Sequence, residues 1–137
     1  MLILRLLFII SLISNEVSAL PAPMSRKELL ERSDFAGVVK VIGVIQTSDD
    51  NDSYKWIAVA SYNAWLQIIK VTKGNFNPLD TIITCWHDLP KSPFVGAWSV
   101  PFVVQEQAFV YLKLHENKRC YTAVSWNAKE PQQNSSK

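Results

Sequence analysis

From residue 35 onward the chain is written in short runs of β-branched and aromatic residues separated by polar, turn-forming pieces. Val38, Val39, Val41, Ile42, Val44 and Ile45 crowd the first run; such side chains lose rotamer freedom in a helix and suit a pleated strand. Gly37 and Gly43 interrupt it, which predicts bends or bulges that curl a long strand. Residues 47–53, TSDDNDS, read as a surface loop. Residues 54–72 are apolar and aromatic again, giving two extended pieces or one long bent strand. Leu66 and Ile68 keep one parity and Val71 takes the other; a bulge at Ile69/Lys70 reconciles them. Residues 73–78, KGNFNP, predict a turn, and residues 81–87 a strand. Residues 89–101, with three prolines and a glycine, form a long loop. Ala108, Val110, Leu112 and Leu114 then alternate with Gln107, Phe109, Tyr111 and Lys113, the period of a half-buried strand. Residues 116–118 turn the chain into a last strand at 120–126. From Ala128 the tail is polar and expected to be disordered.

One helix precedes the strands. Ser25 and Glu28 form an S-x-x-E capping box, with Met24 and Leu29 placed as a hydrophobic staple. The helix ends near Ser33 and, being short, has to dock its Leu29/Leu30 side. Upstream, Pro21 and Pro23 keep the leader extended. A helix followed by about five strands without crossover helices points to a small antiparallel barrel or sandwich, one domain over residues 20–127.

Residues 1–19 depart from this pattern. Arg5, an apolar stretch from Leu6 to Ile13 broken only by Ser11, and the small-residue ending Val17-Ser18-Ala19 read as a signal peptide. The stretch is too short for a bilayer span, which takes about 20 residues. The expected mature chain starts at Leu20, is secreted or periplasmic, and has no stable membrane insertion after cleavage. Composition agrees. The net charge of +2 survives cleavage, because Arg5 and Glu16 leave together, and no basic stripe interleaves with aromatics, so nucleic acid is not an expected partner. Cys85 and Cys120 are the only cysteines; an even number in an exported chain predicts a disulfide between them.

The segment SDFAGVVKV at residues 33–41 resembles the first strand of small exported bacterial proteins with a tissue-inhibitor-of-metalloproteinase (netrin-like) OB barrel. Residues 64–74, AWLQIIKVTKG, followed by Asp80-Thr81-Ile82-Ile83, are similar to that family's second strand, Lys-Gly turn and third strand. Val39 stands where these proteins commonly have Gly, and residues 54–62 have no counterpart. The resemblance implies a mostly β, five-stranded antiparallel OB-like barrel preceded by one short helix. In such barrels the third and last strands are neighbours, which places a Cys85–Cys120 bridge between them. It also implies, from the animal members, metalloproteinase inhibition by an N-terminal Cys on the catalytic zinc; a mature chain starting at Leu20 lacks that residue.

Catalytic signatures are few. No G-x-S-x-G, H-E-x-x-H, phosphate-binding glycine loop or dinucleotide fingerprint occurs. Cys85-x-His87-Asp88 has the residue types of a nucleophile with its base and orienter, but an oxidised Cys85 removes the nucleophile, so the chain reads as a non-enzyme. Asp49, Asn51 and Ser53 open like a calcium loop, yet Tyr54 and Ala60 stand where Gly and Glu are needed. No metal or cofactor is expected. Of the five tryptophans, Trp56, Trp65 and Trp86 fall in strand runs and read as packing. Trp98 lies with Phe94 and Phe102 in the proline-rich loop, a partner-binding patch unless the loop folds back as a lid on the barrel. The reading that results is an exported binding domain with a protein partner, such as an inhibitor of a secreted or envelope enzyme. A glycan- or cell-wall-binding module using exposed tryptophans is the alternative, and oligomeric state is left open.

Overall fold

The computed structural model describes residues 20–47, 60–87, 98–116 and 119–132. The signal segment, residues 48–59, Asp88, Phe94 and residues 133–137 therefore lie outside the described residues. One helix, α1 (Arg26–Arg32), is followed by β1 (Phe35–Thr47), β2 (Ser61–Lys73), β3 (Thr81–His87), β4 (Gln107–Leu114), β5 (Tyr121–Ala123) and β6 (Lys129–Pro131). The order β1-β2-β3-β5-β4 closes through a β1–β4 pairing, making a five-stranded barrel with β6 as an added strand. The expected OB-like barrel is thus present. Its β3–β5 contact, Thr84 with Tyr121, is parallel where an antiparallel barrel was expected. Arithmetic requires this: an odd ring cannot alternate strand direction all the way round, so one neighbouring pair must run the same way.

The strands bend where the pattern predicts. Val38 pairs with Lys70 and Val39 with Ile68, leaving Ile69 as a bulge that swaps parity. A second irregularity skips Ile42 between Val41 and Gly43. Gly37 is required by contact, since a Cβ built there would overlap the Lys70 carbonyl oxygen. The barrel interior is filled by Phe35, Val39, Val41, Leu66, Ile68, Val110 and Leu112, all fully buried.

The helix is set by its ends. Ser25 Oγ accepts the Glu28 N–H at 3.2 Å, and the Lys73 ammonium donates to the Leu30 carbonyl at 2.7 Å, meeting orphan groups at both termini. Leu29 docks with Met24 on Ala36, Tyr111, Val124 and Ala128, whereas Leu30 stays exposed.

The tail is ordered further than its polarity predicts. Val124 N–H donates to the Tyr111 carbonyl, and Tyr111 N–H donates to the Ala128 carbonyl. β5 and β6 are therefore two pieces of one strand along β4, split by an outward loop at residues 124–127. Ala128 is buried, and the charges that follow it are paired: Lys129 with Glu106, and Glu130 with Arg26. The domain consequently runs past 127, at least to the end of β6. The outward loop also anchors the leader. Trp126 donates its indole N–H to the Pro21 carbonyl at 2.8 Å, and Asn127 brackets the backbone of Met24.

Candidate binding cleft

The disulfide Cys85–Cys120 is formed, with Cα atoms 5.9 Å apart. It joins β3 to the residue just before β5, at the seam where only one residue pair is in register. Thr84 reinforces the seam by donating its hydroxyl to the Tyr121 carbonyl at 2.9 Å. A short parallel contact supplies few backbone bonds, so the covalent link and the buried hydroxyl hold what the ladder does not.

Along this seam lies a cleft of about 770 Å³, lined by residues of β2 and β3, the ends of β1 and β4, β5, and residues 98–100, 115, 116, 119 and 120. Its size is within the range of small-ligand and peptide-side-chain sites. The face of strands 2 and 3, together with the turn before the last strand, is where OB barrels hold ligands. Tyr62 and Trp86 are directly opposed in the β2–β3 register, and their rings stack at 5.4 Å and 15°. Trp86 also meets Phe102 at 5.7 Å. Its indole N–H is buried with no hydrogen-bond partner. Lys113, Glu116 and Arg119 give the rim its charge, with His115 beside them.

Ser61 and His87 are also opposed in register, and Ser61 Oγ lies 2.8 Å from His87 Nδ1. The pair orients the imidazole at the cleft. Sequence reasoning missed Ser61, Tyr62, Lys113 and Arg119. Nothing local marks them, and only the pairing of β2 with β3 and of β4 with β5 brings them to one place.

The expected partner patch is divided by the structure. Phe102 is only 4% exposed and belongs to the barrel core with Val100, so it is not an exposed anchor. Its aromatic neighbours Trp86 and the barrel end draw it inward, the lid alternative for this part of the loop. Trp98 is half-buried, packs on the same core and lines the cleft. Phe94 lies outside the described residues. Trp65, Trp86, Trp98 and Trp126 are all partly buried.

Among the described residues no group of three or more His, Cys, Asp and Glu could hold a metal ion, and no helix is long and apolar enough to cross a membrane. The calcium-like Asp49, Asn51 and Ser53 fall outside the described residues. The disulfide is compatible with an extracellular or periplasmic protein. No protein-family model, curated protein or solved structure matches the chain.

Proposed function

We propose that the protein is an exported, non-catalytic binding domain that takes a protein partner in the cleft along the β3–β5 seam. The observation that carries this reading is the cleft itself: about 770 Å³, with an aromatic floor and a charged rim, on a barrel face braced by a disulfide. Bracing matters because a site that is already ordered loses less conformational freedom on binding. The tissue-inhibitor resemblance favours an enzyme as the partner, but by another route than zinc capture, since Leu20 supplies no thiol. The Ser61–His87 pair acts as a structural pin; Ser61 is 7% exposed and its hydroxyl is committed across the strands. A glycan ligand is the second reading, favoured by the stacked Tyr62 and Trp86 but not by the partly buried state of the tryptophans.

The test is affinity capture from envelope and culture fluid using the wild type and the Trp98→Ala and Arg119→Glu variants. A protein held by the wild type and bound at least about five-fold more weakly by the variants, each still folded, is the expected result. Equal capture by all three, or none by any, overturns the reading. Tryptophan quenching by wall polysaccharides without protein capture transfers the site to the glycan alternative.

A further inference from the structure

Among the described residues, the outer half of β1 lacks a strand on one side. β4 accompanies β1 only from Phe35 to Lys40, and the last backbone bonds on that side join Val41 to Gln105 and Glu106. The bulge at Ile42 then turns the strand away. From Gly43 to Thr47, β2 still pairs on one side, Gly43 with Trp65 and Thr47 with Ser61. Among the described residues no strand lies on the other side. An unpaired edge presents a row of N–H and C=O groups that template another strand.

The edge at β6 is protected, and the stretch 43–47 carries no such protection in its own sequence. β6 is three residues long and carries Lys129, Glu130 and Pro131, charges and a proline being the usual protection. Residues 43–47 read Gly-Val-Ile-Gln-Thr, with neither a charge nor a proline. Ile42 and Ile45 are 46% and 48% exposed. At the inner end of this edge, the turn bonded to Val41 adds exposed Val103 and Val104.

We infer that residues 43–47 are a self-pairing edge through which two copies of this chain associate, antiparallel, across a two-fold axis at Ile45. About that axis Gly43 faces Thr47, Val44 faces Gln46, and Ile45 faces its own copy, so no pair brings like charges together. A second copy is the occupant this edge fits, because one operation satisfies both open edges and joins two apolar Ile45 side chains. β1, β2 and β3 of each copy then run as one continuous sheet. A five-residue edge spans about 17 Å at about 3.4 Å per residue. It covers less than the roughly 1,600 Å² of a standard interface, which makes the dimer weak and concentration-dependent. The edge adjoins the ligand cleft at Thr47, which lines both, whereas Ile45, on the proposed axis, does not line the cleft.

The experiment is sedimentation equilibrium of the exported protein from about 5 to about 500 μM, a range suited to a weak interface. The wild type is expected to rise from monomer mass toward twice that value. Ile45→Lys, at an exposed position that tolerates a long polar side chain, is expected to stay monomeric with an unchanged melting temperature. Ile45→Cys, oxidised mildly, is expected to yield a cross-linked dimer that reductant dissolves. Monomer mass for the wild type at every concentration overturns the inference. So does a dimer that survives in Ile45→Lys, which would place the contact elsewhere.

Discussion

The Lys129 ammonium lies 2.9 Å from Glu106 Oε1, and both side chains are less than one-fifth exposed. The same ammonium donates to the Pro101 carbonyl at 2.6 Å and sits 5.1 Å from the Phe102 ring centre. Glu106 in turn accepts the Val103 N–H at 3.1 Å. Two residues thus tie β6 to the segment that leads Phe102 into the core. Removing one partner strands the other charge in a partly dry site. Glu106→Gln and Lys129→Met are each expected to cost about 2 kcal/mol, and the double variant less than their sum by more than about 1 kcal/mol. Urea denaturation of all four proteins checks this; additivity within about 0.5 kcal/mol would show that the pair is not coupled.

Gly37 and Gly43 occupy one strand but carry different constraints. A Cβ at Gly37 would overlap the Lys70 carbonyl, whereas one at Gly43 would meet only Trp65 Cε3 at 3.5 Å, an ordinary contact. Gly37→Ala is expected to destabilise by about 3 kcal/mol or more, because backbone in a closed barrel cannot yield. Gly43→Ala should stay within about 1 kcal/mol of wild type. Equal effects in a denaturant titration would mean that both glycines serve only as general bends.

Both glycines were visible as interruptions, yet only packing against Lys70 tells them apart. The same division runs through the molecule. The bulge at Ile69 could be read from parity, because a half-buried strand must keep its apolar residues on one face. The helix start was legible in Ser25 and Glu28, which act within one turn. The tail was not: Lys129 and Glu130 look solvated until Glu106 and Arg26, distant in sequence, are placed beside them. The cleft was the least legible part. Tyr62 and Trp86 meet only through the β2–β3 register, and Phe102 moved from site to core because a proline-rich stretch gives no periodicity from which burial can be read.

The disulfide should carry more of the stability than its single bond suggests, since the β3–β5 contact it crosses is so short. Cys85 and Cys120 are 35 residues apart, and closing a loop of that size stabilises by about 3–4 kcal/mol on the chain-entropy model. Cys85→Ala is expected to lower stability by about that amount, and the double Ala variant by no more, because either change opens the same loop. A single variant as stable as the wild type in thermal melts would show that the seam holds without the bond.

Tyr111 makes stability depend on pH at the alkaline end. Burial raises its hydroxyl above the ordinary value of 10.0, the Glu130 carboxylate adds to the rise, and Arg26 opposes it. With the folded value above the unfolded one, the associated stability is fully present below about pH 10 and is lost as pH rises through the folded value. Tyr111→Phe has no proton to lose. The stability difference between wild type and this variant should therefore be flat from about pH 7 to about pH 9 and move in the variant's favour above pH 10. A difference that stays constant to about pH 11 would show that the surroundings of Tyr111 do not raise its value.

Trp86 combines a large packing role with an indole N–H that finds no acceptor. Its ring is held between Tyr62 at 5.4 Å and Phe102 at 5.7 Å, so the faces matter to the barrel end even where the nitrogen does not. A buried donor without a partner costs about 1–3 kcal/mol, and removing it recovers that cost if the ring is kept. Trp86→Phe retains an aromatic face toward both neighbours but loses part of the ring volume, a penalty of similar size and opposite sign. The net change is expected to lie within about 1 kcal/mol of zero, whereas Trp86→Ala, which removes the ring altogether, should cost about 3–5 kcal/mol. Guanidinium unfolding of the two variants beside the wild type separates the contributions. A loss of about 3 kcal/mol or more in Trp86→Phe would mean that the N–H is satisfied in solution, with an ordered water the natural acceptor.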